Sequence, residues 1–127
     1  MQPRLLLLIA IVFTPMLHGQ QLQQASYTES QAQSGESIYI QSCAACHLPD
    51  LTGSFEAPAL NDANFQGNWA NRNISELVDL LRQTMPPQAP ASLTEQQYID
   101  ITAYLLSANG IASGSMDLIT AANAVVF

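Results

Sequence analysis

The pentapeptide Cys-Ala-Ala-Cys-His at residues 43–47 is the feature that most limits what this chain can fold into, because it contains the chain's only two cysteines. Two cysteines with two residues between them serve as a redox dithiol, as part of a metal site, or as attachment points for a larger group. Each use needs different surroundings in the fold. The rest of the sequence indicates which surroundings are present.

The first residues follow the order of a secretory signal peptide. Arg4 precedes an apolar run from Leu5 to Phe13, and small and polar residues follow at positions 18–20. The run is shorter than the roughly 20 apolar residues that cross a bilayer, although a retained anchor or a buried helix is the alternative. We therefore expect residues 1–19 to be a signal peptide cleaved near Gly19, a periplasmic location, and no stable membrane span.

The composition is acidic and contains no lysine. Three Lys and Arg residues stand against ten Asp and Glu residues, so the formal net charge is −7 at pH 7. Loss of Arg4 with the signal peptide lowers this by one to −8, and loss of His18 leaves His47 as the last histidine. Nucleic acids and anionic membrane surfaces are bound through basic patches. We therefore expect neither as a partner.

Residues 20–34 are rich in Gln and Ser and carry few apolar side chains. Such a stretch buries too little surface to offset the entropy of ordering, so we expect a flexible leader. A first helix is predicted to follow over about residues 35–44 and to run into the cysteine motif.

Two further helices have clearer signals. One carries an apolar stripe at helical spacing and ends before Met85-Pro86-Pro87; the stripe is formed by Ile74, Leu77, Val78 and Leu81. The other starts with a capping box of Thr94 and Gln97 and closes at Asn109-Gly110. Since no alternating strand pattern is present, the sequence predicts an all-α domain over residues 35–110.

Residues 48–72 are rich in Pro, Gly, Asn and Asp, and they are predicted to form loop and turns between the first two helices. Loops of this length are usually functional or disordered. Three short helices also make a thin core. The loop nevertheless contains apolar residues, which are Leu51, Phe55, Leu60, Phe65 and Trp69. A large, flat, apolar cofactor would supply the core that the helices lack.

The uses of the cysteine motif differ in how well they suit an all-α chain. A disulfide suits an exported protein, but a two-residue gap closes a loop too small to constrain much. A thioredoxin-like dithiol is expected in an α/β pattern, and a zinc site needs four ligands. Cys-x-x-Cys-His is the attachment sequence for c-type haem, in which Cys43 and Cys46 bond the vinyl groups and His47 reaches the iron. We therefore predict one covalently attached haem c.

With these residues the chain resembles the class I cytochromes c over about residues 35–110. Gly35 and Tyr39 resemble the N-terminal helix of the family, and Ile101 with Tyr104 resembles the opposing pair on the C-terminal helix. The resemblance implies a small helical fold wrapped around one haem. The remaining residues, 111–127, are not covered; we favour packing on the domain over an exposed apolar patch for a partner.

The resemblance also implies roles for single residues. Pro58, in "APAL", resembles the proline whose carbonyl holds the histidine Nδ1–H, and Met85, in "TMPP", resembles the distal iron ligand. Trp69 resembles a tryptophan that donates to a haem propionate, although core packing is an equal alternative. Leu60 and Leu81 are expected in the pocket wall. Arg82 lies in the last turn of a helix, where the helix dipole favours a cation, and we prefer this explanation to a propionate contact.

The order "LTG…APAL…F…W…MPP…YLLSANG" is most similar to the cytochrome domains of quinoprotein alcohol dehydrogenases. It implies an exported electron carrier, not an enzyme, because His and Met ligation leaves no open iron position. The expected partners are a periplasmic dehydrogenase, such as a quinoprotein dehydrogenase, and a terminal oxidase or another cytochrome. The alternative is a haem enzyme or a gas-binding protein in which the sixth position is open or labile.

Overall fold

The computed structural model describes residues 23–24, 26–118 and 124–127. The predicted signal peptide, residues 1–19, lies outside them. Within the described residues the chain forms five helices and two very short strands, so the all-α prediction is confirmed. In chain order these are β1 (Gln23–Gln24), α1 (Glu29–Ser42), α2 (Ala44–His47), α3 (Ala63–Trp69), α4 (Ile74–Thr84), α5 (Glu95–Ala108) and β2 (Ala124–Val125).

The crossing of α1 and α5 is the tightest contact in the fold. A Cβ atom placed on Gly35 would lie 1.8 Å from the carbonyl oxygen of Asp100, so only glycine permits this approach. One turn further along α1, the rings of Tyr39 and Tyr104 pack with centroids 5.3 Å apart. The residues that the sequence singled out on the two helices therefore meet at this crossing.

Helix α1 starts earlier than predicted, so the flexible-leader prediction is wrong for residues 29–34. Thr28 caps the helix, and its side chain accepts from the Gln31 N–H at 3.4 Å. Gln31 is buried. Its side-chain amide is satisfied there, since it accepts from the Leu118 N–H at 2.6 Å and donates to the Leu118 carbonyl at 3.1 Å. This part of the Gln-rich segment is ordered because the amide of Gln31 finds backbone partners.

Helix α3 lies inside the segment that was predicted to be loop. The Asp62 side chain caps it by accepting from the Phe65 N–H at 2.8 Å, and the helix buries Phe65 and Trp69. Helices α4 and α5 lie where the apolar stripe and the Thr94 capping box predicted them. None of the helices in the described part of the chain is long and apolar enough to cross a membrane.

The extension that follows Gly110 packs back onto the domain. The Gly114 N–H donates to the Tyr27 carbonyl at 2.7 Å, and Leu118 and Val126 are 3% and 0% exposed. Strands β1 and β2 pair in parallel. The extension therefore adds buried apolar side chains to the core, which is the packing that the sequence favoured.

Candidate functional site

One cavity brings together every residue that the sequence singled out as a site residue. Its volume is about 730 Å³, within the range of roughly 300–1,000 Å³ that is typical of small-molecule and cofactor sites. The predicted residues that line it are Cys43, Cys46, His47, Pro58, Leu60, Trp69 and Met85.

The cysteine motif reaches the cavity through a break at the end of α1. Cys43 has non-helical backbone angles, and the chain then makes the single turn of α2. The N–H groups of Cys46 and His47 both donate to the Cys43 carbonyl, at 3.1 and 3.0 Å. This turn brings two thiols and one imidazole to the same wall of the cavity, and the thiols form no disulfide.

The electrostatics of the motif do not suit a reactive dithiol. Burial raises the pKa of the Cys43 thiol to about 11, so the free thiol is protonated at neutral pH. The thiolate is the nucleophile in dithiol chemistry, and reactive cysteines have lowered pKa values. No cluster of three or more His, Cys, Asp or Glu side chains suited to a metal ion occurs among the described residues.

His47 is held in one tautomer by the loop that follows it. The imidazole is buried, and its Nδ1 lies 2.8 Å from the Pro58 carbonyl oxygen. Because a carbonyl oxygen only accepts, Nδ1 carries a proton, and Nε2 is the ring nitrogen left to bind a metal. Metal-ligating histidines use this arrangement to fix the ring and raise its basicity.

The loop from residue 48 to residue 60 fixes the Pro58 carbonyl. Gly53 donates its N–H to the His47 carbonyl at 3.0 Å, and its φ of +75° lies in the left-handed region. A Cβ on Gly53 would lie 2.5 Å from the Pro58 carbonyl carbon, so the loop folds directly over this glycine. Gly53 was not singled out from the sequence, although a glycine inside a loop rich in turn residues is a signal for positive φ.

Tyr39 anchors the start of the same loop. Its hydroxyl donates to the Leu48 carbonyl at 2.7 Å. Burial raises the pKa of the Tyr39 phenol above its usual range, so the hydroxyl stays protonated and available as a donor. The aromatic ring at the α1–α5 crossing is therefore connected to the loop that holds His47.

Met85 reaches the cavity from a different element, immediately after the end of α4. The Tyr98 hydroxyl donates to the Met85 carbonyl at 2.8 Å, which ties the methionine to α5. Met116, the other methionine beyond the predicted signal peptide, is 58% exposed and does not line the cavity. Met116 is therefore not packed in the core.

The remaining walls come mostly from apolar side chains of α3, α4 and α5. Leu60 is anchored through its carbonyl, which accepts from the Asn109 side chain at 2.8 Å. Arg82 does not line the cavity and instead pairs with Asp79 at 3.0 Å on the surface of α4. Leu81 lines the cavity, as expected, and the lining residues that sequence reasoning missed include Phe65, Leu77, Leu80, Leu93, Tyr98, Ile101 and Leu105.

These features fit a haem group. The cavity has the volume of a cofactor site and largely apolar walls, and it is lined by two thiols and by an imidazole whose Nε2 is left to bind a metal. A methionine thioether lies on a separate element. Thiols, imidazole and thioether are the groups that c-type haem uses for attachment and axial ligation.

Comparison with known proteins places these residues in a family. A family model described as "Cytochrome C oxidase, cbb3-type, subunit III" matches residues 30–105, which include every predicted site residue. The cbb3-type cytochrome c oxidase subunit CcoP of Rubrivivax gelatinosus is 32% identical over 77 residues, which are 60% of this chain and 25% of that protein. The chain therefore spans about a quarter of the length of this relative.

A solved structure is also similar. The sulfane dehydrogenase SoxCD from Paracoccus pantotrophus matches with a TM-score of 0.56 and 25% identity, over 75% of this chain and 50% of that chain. Neither relative is a quinoprotein alcohol dehydrogenase by name.

Proposed function

The chain belongs to the family of cbb3-type cytochrome c oxidase subunit III, whose domain is a class I c-type cytochrome, and from this membership we propose that it is an exported electron carrier with one haem c. It passes single electrons by outer-sphere transfer between a periplasmic dehydrogenase and a downstream acceptor. The observation that carries the proposal is the contact between His47 Nδ1 and the Pro58 carbonyl in the wall of a cofactor-sized cavity.

Each site residue has a role in this proposal. Cys43 and Cys46 hold the haem covalently, so that it is not lost outside the cytoplasm. His47 presents Nε2 to the iron because Pro58 occupies Nδ1. Met85 would hold the iron through its thioether, a soft ligand that favours the reduced metal and raises the potential. Leu60 and Trp69 line the cavity and would keep water from its walls, and the Trp69 indole N–H would be available to a propionate.

The haem, when bound, exchanges one electron between the ferrous and ferric states. The protein's part is to keep both axial ligands in place during that exchange. The Tyr98 hydroxyl holds the Met85 backbone and the Tyr39 hydroxyl holds the Leu48 backbone, so hydrogen bonds from two core tyrosines support the two ligand loops. Fixed ligands suit electron transfer because little has to move when the iron changes charge.

The proposed redox partners are inferred from the acidic charge of the chain and from the name of the Rubrivivax relative. The acidic chain favours neutral or basic docking patches on other redox proteins. The name of the Rubrivivax relative supports a terminal oxidase as the acceptor or the assembly that contains the chain. A quinoprotein dehydrogenase as the electron donor is supported by the order of the short motifs "LTG", "APAL", "MPP" and "YLLSANG".

Absorption spectroscopy tests the proposal. The protein is produced in the periplasm together with a haem-attachment system, and spectra are recorded for the ferric, the ferrous and the carbon monoxide-treated ferrous protein. We expect a c-type ferrous spectrum that carbon monoxide does not change, because Met85 occupies the sixth position. Rapid binding of carbon monoxide would instead support a haem enzyme or a gas-binding protein, and a colourless protein would contradict both.

A further inference from the structure

Residues 124–127 lie across the corner between α3 and α4. The Val126 N–H donates to the Arg72 carbonyl at 2.9 Å, and the Phe127 carbonyl accepts from the Asn71 N–H at 3.3 Å. Val125 forms an antiparallel bridge with Asn73. The backbone of this segment therefore binds three consecutive residues of the corner.

The side chains of the segment are also packed against this part of the fold. Val125 and Val126 are 6% and 0% exposed. The Phe127 ring meets the Phe65 ring edge to face, with centroids 6.3 Å apart and an angle of 78°. Such aromatic pairs contribute beyond their buried area, so the contact orients Phe65 as well as burying it.

The corner carries one wall of the haem cavity. Phe65 and Trp69, four residues apart on α3, both line the cavity. Arg72, whose carbonyl accepts from Val126, places its guanidinium 4.3 Å from the centre of the Trp69 ring. The 124–127 segment thus contacts Phe65 directly and is joined to Trp69 through Arg72.

Helix α3 needs such support because it is short. It has seven residues, and isolated helices of that length are unstable without tertiary contacts. It also contains Gly67, a weak helix former. The position of the Phe65 and Trp69 side chains therefore depends on what packs against the helix.

We propose that the 124–127 segment is a positioning element of the haem cavity, which holds Phe65 and Trp69 against the cofactor and excludes water from that wall. None of its residues lines the cavity. Burial and solvent access around a haem help to set its reduction potential, because a drier site disfavours the more highly charged ferric form. The segment therefore helps to keep the potential high, an inference that rests on the proposed haem.

The test compares Phe127→Ala and Val126→Ala with Tyr27→Ala in the haem-loaded protein. Tyr27 is 1% exposed and also contacts the extension, since its hydroxyl donates to the Ile111 carbonyl, but it does not line the cavity. We expect all three variants to unfold at lower temperature. Only Phe127→Ala and Val126→Ala should lower the reduction potential, and Phe127→Leu should restore most of it.

Fluorescence gives an independent readout, because Trp69 is the only tryptophan in the chain. Its emission is quenched by a nearby haem, so a displaced Trp69 should emit more strongly in Phe127→Ala than in wild type or Tyr27→Ala. Equal shifts of potential in all three variants, or none in the two segment variants, would overturn the proposal. If the wild-type protein carries no haem, the proposed function fails instead, and acrylamide quenching of Trp69 in the same variants then decides the positioning role.

Discussion

The Nδ1 atom of His47 lies 2.8 Å from the carbonyl oxygen of Pro58, although the two residues are eleven positions apart in the chain. This contact determines which ring nitrogen is free to bind a metal. It depends on the loop between the two residues, which folds over Gly53 with a φ of +75°. The tautomer of His47 therefore depends on a glycine that does not line the cavity.

Replacement of Gly53 by Ala should disturb this contact. The new Cβ would lie 2.5 Å from the Pro58 carbonyl carbon and from the Ala59 nitrogen, and the left-handed backbone adds strain. We expect the free energy of unfolding to fall by about 2–4 kcal/mol, together with a change in the haem spectrum. Chemical denaturation and absorption spectra measure the two effects.

Gly110→Ala is the matched control for this substitution. Gly110 also has a positive φ, of +84°, but a Cβ placed there meets nothing within 4 Å. It should cost only the backbone strain, about 1 kcal/mol, and leave the haem spectrum unchanged. Equal effects of the two substitutions would mean that the Pro58 carbonyl is not held by close packing on Gly53.

The sixth iron ligand is tested by replacing methionines. Met85→Ala should abolish the weak charge-transfer band at the red end of the ferric spectrum, lower the reduction potential and allow carbon monoxide to bind ferrous iron. Met116→Ala should change none of these, because Met116 is exposed and lies away from the cavity. If Met116→Ala has these effects and Met85→Ala does not, the assignment of the ligand is wrong.

Two core tyrosines each donate a hydrogen bond to one of the ligand loops, Tyr98 to the methionine loop and Tyr39 to the histidine loop. Replacing them one at a time tests the two loops separately. Tyr98→Phe removes the hydrogen bond to the Met85 carbonyl, and Tyr39→Phe removes the one to the Leu48 carbonyl. Each should cost about 1–2 kcal/mol of stability, since the Met85 carbonyl loses the Tyr98 donor and the Leu48 carbonyl is left with the Leu51 N–H alone. Only Tyr98→Phe should speed the binding of carbon monoxide, which stopped-flow mixing measures. The same acceleration in both variants would indicate general loosening of the fold.

The chain's acidity predicts how electron transfer depends on salt. With a basic redox partner, the rate constant should fall by about tenfold between 10 and 150 mM salt, because screening weakens the attraction. Glu56→Gln should reduce this dependence more than Glu29→Gln, since Glu56 lines the cavity and Glu29 lies at the start of α1. A rate that rises with salt would contradict the predicted sign of the docking surface.

The sequence predicted those parts of the fold whose signals are local. The Thr94 capping box and the apolar stripe from Ile74 to Leu81 mark α5 and α4, because capping and helical spacing are properties of neighbouring residues. The spacing of Cys43, Cys46 and His47 similarly pointed to one cavity wall, where the structure has all three.

The parts that were missed depend on distant contacts. Helix α3 has only seven residues, one of them Gly67, and is ordered by burying Phe65 and Trp69 against the rest of the protein. The early start of α1 had a local signal that was overlooked, since Thr28 and Gln31 form a capping box like that of Thr94 and Gln97, but the Gln31 amide also pairs with the backbone of Leu118, 87 positions away. No pattern of neighbouring residues reveals such a pairing.

The measurement that most directly tests the central claim is the mass of the denatured protein after periplasmic production with a haem-attachment system. We predict a species that carries the mass of one haem after acid–acetone extraction, and loss of that mass when Cys43 and Cys46 are both replaced by Ala. Wild-type protein that consists only of the polypeptide, with two free thiols, would contradict the claim that these cysteines hold a haem.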